Sequence, residues 1–193
     1  MQLDEPVKIV AYDAAWLAMF AQEHVALGDT LAGAIVDIQH IGSTAVAGMT
    51  AKPIVDIQAG LKSYPAETSL LVGLEQLGYE YLGEAGVAGR QYLRKRQSKA
   101  FNLHLVQHEG EHWRNNLALR DYLRVHADEA QRYAQHKRDA LAQAATLLAY
   151  SDLKHPFVAE LLERALTWRV RSLKQDILQR LVEVTEEGGL YDE

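Results

Sequence analysis

The sequence predicts an α+β fold: a mixed β-sheet with helices over residues 1–109, then a nearly all-helical region over 110–185. Three observations predict it. Short β-branched runs punctuated by glycine and proline alternate with helix-spaced apolar residues in the first half. After residue 110 the pattern is charged and leucine-rich at helical spacing. A hydrophobic content of 48% over 193 residues suffices for one buried core. Strands followed by a run of helices suggest a sheet layer with a helical cap, packed as one compact unit. Residues 186–193, with Gly188 and Gly189, read as a flexible tail.

Element by element, residues 7–10 form a short extended run, and Asp13 is placed to cap a helix carrying Trp16, Leu17, Phe20, His24 and Leu27. Residues 35–41 read as a strand, broken by Gly42-Ser43-Thr44, with a second turn at Gly48. Pro53 opens the next strand, where Ile54, Val55 and Ile57 surround Asp56. A helix over 67–77 stops at Gly78, and strands follow at 79–82, 91–96 and 101–106. Helices are expected over 111–125, 128–149 and 156–184.

The net charge of −6 argues against broad nucleic-acid binding, which needs a basic footprint, but leaves room for a local basic pocket. With no cysteine, disulfides, thiolate catalysis and cysteine-ligated zinc are excluded. The first residues lack the pattern of a signal peptide, and no apolar run approaches a membrane span, so a cytoplasmic protein with no membrane partner is expected.

The segment 40–59, HIGSTAVAGMTAKPIVDIQA, carries the chemistry. Gly42 lets backbone approach a ligand closely, and Ser43 and Thr44 offer hydroxyl and N–H groups. A helix starting near Thr44 would turn its first N–H groups toward an anion. Asp56 on the neighbouring strand is then positioned to hold a magnesium or manganese ion bridging to phosphate oxygens.

His40-Ile41-Gly42-Ser43-Thr44-Ala45-Val46, Lys52-Pro53 and Asp56-Ile57 resemble the signature of the GrpB family. Phe101-Asn102-Leu103-His104-Leu105, the 119–124 stretch LRDYLR, and the pairs Tyr133/Lys137 and Tyr150/Lys154 extend the resemblance in order across residues 7 to 170. The resemblance implies a nucleotidyltransferase-like fold, in which a Gly-Ser turn holds phosphates and three carboxylates hold two divalent metals. Members are also found fused to dephospho-CoA kinase, which led to description of the family as a protein-folding accessory domain. This sequence departs from the superfamily pattern: the second carboxylate position is Gln58, and the third strand carries His104.

From these residues the expected site comprises Asp56, Lys52 and Arg120 as catalytic groups. Gly42, Ser43, Thr44, Tyr133 and Lys137 bind the phosphate or nucleotide, and Asp56 and His104 hold a metal, with His40 as a further member of that cluster. Arg120 shares a helix face with Arg124 and is expected to clamp a phosphate as a fork. The basic run Arg90, Arg94, Lys95, Arg96 and Lys99 is expected to be split between two faces of a hairpin as an exposed edge. Trp16, Trp113 and Trp168 read as core anchors. The function implied is metal-dependent nucleotidyl or phosphoryl transfer, with magnesium or manganese and no organic cofactor. The alternatives are a non-catalytic nucleotide or phosphate-ligand binding module, or an accessory domain meeting a protein partner.

Overall fold

A computed structural model of the chain describes residues 8–144 and 146–188. Its elements run α1 (Ala15–Thr30), β1 (Ile35–Ile41), β2 (Val55–Leu61), α2 (Thr68–Gln76), β3 (Glu80–Tyr81), β4 (Gln91–Arg96) and β5 (Ala100–Gln107). The helices α3 (Glu111–Val125), α4 (Ala127–Gln143) and α5 (Leu147–Gly188) complete it.

The strands form a mixed sheet in the order β1-β2-β5-β4-β3, with β2 and β5 parallel and the other neighbours antiparallel. Period-two alternation divides it into two unlike faces. Ile38, Val55, Ile57, Ala59, Leu93, Phe101, Leu103 and Leu105 point to one side and pack under α1 and α2, where Trp16, Leu27 and Leu74 close the main core. Asp56, Gln58, Asn102 and His104 occupy the intervening positions and face the other side, with Asp56 opposite Asn102 and Gln58 opposite His104 in the register. A strand that alternates apolar and polar residues under helices on both faces thus delivers polar groups into the interior.

The helix α3 lies on that polar face. Trp113 and Leu117 pack on Ile41 and Val106. Gly60 makes the close approach possible, because a Cβ there would stand 2.8 Å from the Trp113 ring. Gln58, fully buried, fastens α3 to the sheet: its Nε2 donates to the Trp113 carbonyl at 3.4 Å and its Oε1 accepts from Asn116 at 2.5 Å. A second cluster joins α3, α4 and α5 to the loop after β1 through Val46, Met49, Tyr122, Leu161 and Ala165, with Trp168 packed against it.

Several boundaries differ from the sequence expectation. Asp13 does assist the start of α1, its Oδ1 accepting from the Ala15 N–H at 2.9 Å. Val10 forms an isolated bridge to Ala51, while residue 7 lies outside the described residues. The second long strand starts at Val55 and not at Pro53, because the Ile54 N–H turns back to the Lys52 carbonyl at 2.8 Å. The helix expected over 128–149 ends at Gln143, where Ala144 turns extended. A new helix starts at Leu147, with Thr146 Oγ1 accepting from the Ala149 N–H. Pro156, expected to open a helix, lies inside α5. The expected tail overlaps the end of α5 at Gly188, and residues 189–193 lie outside the described residues. No helix among the described residues is long and apolar enough to cross a membrane.

Candidate functional site

The turn after β1 is built around Gly42, whose φ of +70° lies in the region glycine tolerates. The second reason for glycine is steric: a Cβ would stand 2.6 Å from Asp56 Oδ2. Gly42 therefore brings the turn into direct contact with the carboxylate one strand away. The chain then makes a three-residue 3₁₀ turn, Ser43–Ala45. The expected helix N-terminus is thus absent at Thr44, and with it the macrodipole that would favour an anion.

Asp56 is held from the adjacent strand. Asn102 Nδ2 donates to its Oδ1 at 2.6 Å, and Asn102 Oδ1 in turn accepts from the Tyr92 hydroxyl and from Arg96 Nη2, each at 2.8 Å. That chain fixes the amide's orientation and so the carboxylate's. Burial alone would raise the Asp56 carboxyl, but His104, Lys52 and Asn102 outweigh it and hold it below the usual carboxylate range. Asp56 Oδ2 takes no hydrogen bond among the described residues.

Facing this corner are residues of α4 and α5. Lys137, 2% exposed, donates to Ser43 Oγ at 3.0 Å and to the Thr50 carbonyl, with its ammonium 4.9 Å from the Tyr133 ring centroid. Lys154 lies 4.5 Å over the Tyr150 ring. Burial, with the charges of Lys154 and Arg138, brings Lys137 down to about 7; burial and Lys52 bring Lys154 down to about 8. Burial and the Asp56 charge push Tyr133 up to about 12. Together with Lys52 these groups line a cleft of about 380 Å³ between the polar sheet face and the helices.

The structure thus gathers Gly42, Ser43, Lys52, Asp56, His104, Tyr133 and Lys137 at one cleft, and adds Tyr150 and Lys154. Thr44 lines it too, but its hydroxyl is engaged by His40 Nε2 at 2.9 Å. Arg120 sits apart, in a neighbouring cavity of about 200 Å³ that shares Gly42, Ser43 and Asp56. Its guanidinium is occupied by Gln39, the His40 carbonyl and Asp121, tying α3 to β1 and not reaching into the cleft as a free fork. Arg124 likewise bonds the Ala45 carbonyl.

His40 is a correction. It pairs with Ile57 in the register and so points to the opposite face from Asp56, buried and stacked on Phe20 at 4.9 Å. Burial takes its pKa down to about 4, with Arg124 and Arg120 acting the same way against the pull of Asp56. The expected His40/Asp56/His104 cluster does not form, because adjacent strand positions face opposite ways.

The basic run of β4 is a second correction. β4 is an interior strand, covered by the short β3, so its charges are not an exposed edge. Lys95 turns to α1, pairing with Glu23 at 2.9 Å, while Arg94 and Arg96 turn to the cleft side, where Arg90 joins them. Arg94 is paired with Glu80 at 2.7 Å. Tyr92 and Asn102 also belong to the site and were not among the expected residues. Period two was the available signal: Asn102 stands two residues from His104, and Tyr92 is opposite it.

The donor set does not fit a resident pair of divalent metals. No group of three or more His, Asp or Glu side chains able to hold an ion occurs among the described residues. Gln58 commits both ends of its amide to α3. His104 Nδ1 accepts from Arg90 Nη1 at 3.3 Å. Arginine offers no acceptor, so the proton of the neutral ring sits on Nε2 and removes the lone pair a metal would need. Burial, reinforced by Arg90 against the pull of Asp56, lowers the His104 pKa and keeps the ring neutral. Nε2 is buried without a hydrogen-bond partner, 3.9 Å from Asp56 Oδ1. Among the described residues lining the cleft, Asp56 is the one carboxylate.

The family described as GrpB protein matches residues 6–164. The chain belongs to the GrpB family. The crystal structure of the conserved protein GrpB from Enterococcus faecalis is 32% identical, with a TM-score of 0.77, over 84% of this chain and 99% of that one. A UPF0157 protein of Streptomyces coelicolor is 33% identical over 80% of this chain and 81% of its own length. The UPF0157 protein YqkA of Bacillus subtilis is 32% identical over 84% of this chain, which spans about half (48%) of that relative's length. The GrpB match ends at residue 164, so it includes the cleft and leaves out the distal part of α5.

Proposed function

We propose that this protein binds a small phosphorylated ligand of the nucleotide or polyphosphate class in the lysine-lined cleft. The observation that carries the reading is that Lys52, Lys137 and Lys154 line one cleft with the Gly42-Ser43 turn, Lys137 bonding Ser43 directly. Ammonium groups crowded away from solvent repel one another and lose protons more readily, and a bound phosphate relieves that repulsion. Asp56 acts in the opposite sense, since a carboxylate facing phosphates is repelled unless a cation stands between them. A magnesium or manganese ion carried in by the phosphates answers that charge, because such ions are commonly held by one or two carboxylates plus phosphate oxygens. Asp56 Oδ2 is the oxygen available for it. No organic cofactor is implied.

The test is titration calorimetry with ATP, pyrophosphate and inorganic phosphate, each with and without magnesium. ATP and pyrophosphate are expected to bind, with affinity reduced about tenfold or more in Lys137→Met, the size of a charge-assisted hydrogen bond. Asp56→Asn is expected to abolish the magnesium dependence. The absence of heat with all three probes under both conditions would sink the reading.

Metal-dependent nucleotidyl or phosphoryl transfer is a finer reading of the same cleft. It is favoured by one contact, that of Asp56 against the turn that receives the phosphates. Its measure is magnesium- or manganese-dependent release of pyrophosphate or phosphate from ATP, lost in Asp56→Asn. Binding with no product over long incubation leaves the non-catalytic module.

A further inference from the structure

The neighbouring cavity of about 200 Å³ is unlike the lysine-lined cleft in chemistry. The two meet at Gly42, Ser43, Asp56, His104 and Tyr133. Beyond them the cavity is walled by Ile41 at the end of β1 and by Leu119 and Leu123 of α3. It holds no lysine, and its donors are already spent. The Arg120 fork goes to Gln39, the His40 carbonyl and Asp121. Asn116 Nδ2 goes to Gln58. Ser43 is taken by Lys137 and Tyr133. His104 Nε2 is sealed from water, 3.9 Å from Asp56 Oδ1. The open polar atom is an acceptor, Asp56 Oδ2, beside the Gly42 turn.

These walls set three demands on an occupant. It must bring an apolar body and a hydrogen-bond donor. It must bring no negative charge, because Asp56 repels it and no free donor answers it. It must bring no positive charge, because the Arg120 guanidinium lines the cavity and Lys52 already balances Asp56. A neutral hydroxyl on an apolar frame meets all three. Size is also set: an apolar cavity of about 150 Å³ accepts benzene, so this one has room for a ring with a short arm. We propose that the cavity binds a small apolar alcohol, its hydroxyl donating to Asp56 and its body lying against Ile41, Leu119 and Leu123. The site stands whether or not the cleft holds phosphate. Where it does, the two ligands reach one carboxylate, and the two lone pairs of Oδ2 admit a cation and a hydroxyl together.

Ligand-observed NMR titration of the full chain with four probes of one shape tests it: benzyl alcohol, toluene, benzylamine and benzoate. Benzyl alcohol is expected to bind at least about threefold more tightly than each of the others, through its bond to a charged acceptor. Leu119→Phe places a ring in the cavity and is expected to weaken benzyl alcohol at least about tenfold. Pyrophosphate binding should be unchanged in that variant, since Leu119 does not line the cleft. Leu119 is only partly buried, and the near-ultraviolet signal of buried Trp113 on the same helix reports whether the fold is kept. If the variant fails to fold, the ranking of the four probes on the unaltered chain decides alone. No binding of benzyl alcohol overturns the proposal, as does any other probe binding as tightly. Full affinity for benzyl alcohol in Leu119→Phe overturns the location, and loss of pyrophosphate binding there overturns the separation of the two sites. Pyrophosphate titration of the unaltered chain decides the phosphate reading separately.

Discussion

Gly42 and Lys137 illustrate how single residues set the site. At Gly42 two demands coincide, a positive φ and a missing Cβ that would meet the Asp56 carboxylate at 2.6 Å. Gly42→Ala is expected to cost about 1–3 kcal/mol of stability, the usual range for forced backbone strain. Chemical denaturation measures that cost, and an unchanged midpoint would show that the turn yields freely. In the proposed phosphate site Lys137 would govern the pH response. A phosphate favours its ammonium form, so ligand affinity should fall as pH rises through about 7 and on through about 8, where Lys154 follows. Titrations at pH 6, 7.5 and 9 with pyrophosphate read this directly, and a flat profile would separate binding from these two lysines.

Elements are placed by groups that the chemistry does not use. Gln58 occupies the strand position where a second carboxylate is expected, and its amide bridges β2 to α3 through Trp113 and Asn116. Gln58→Ala leaves both partners unsatisfied in a buried setting and is expected to cost about 2 kcal/mol or more. Ligand binding in the folded fraction should survive, since no polar end of Gln58 is offered to the cleft. A loss of affinity exceeding the loss of stability would instead assign Gln58 to the ligand. Arg120 has a similar part, binding α3 to the end of β1.

For the whole molecule, the lysine cluster links stability to pH. Lys137 titrates near 7 when folded and near its model-peptide value of 10.5 when unfolded. Between those values the unfolded chain binds more protons, so stability without ligand should rise with pH. His40, lowered to about 4 against 6.5 in model peptides, acts in the same direction over the acid range, stability falling as pH falls from about 6.5 toward 4. Thermal unfolding across pH 5 to 9 tests both, and Lys137→Met should reduce the slope of the alkaline limb alone, Lys154 supplying what remains above about pH 8. The ligand-free protein is thus expected to become more stable in the pH range where its affinity for phosphate declines.

Much of this architecture was legible in the residues. The Gly42-Ser43 turn beside Asp56, the helix over 111–125 and the strand over 91–96 follow from local chemistry: β-branched alternation, glycine punctuation and helical spacing of leucines. The family resemblance rested on ordered motifs that a chain carries whatever its fold looks like. Tertiary structure alone decided the rest. It set which face of β1 holds His40, which strand covers β4, and where Arg94 and Arg96 turn. It also determined that Arg120 is engaged while Lys154 lines the cleft. The physical reason is that a sequence specifies period and propensity within an element, whereas the partner of a long charged side chain depends on which distant backbone is packed within its reach.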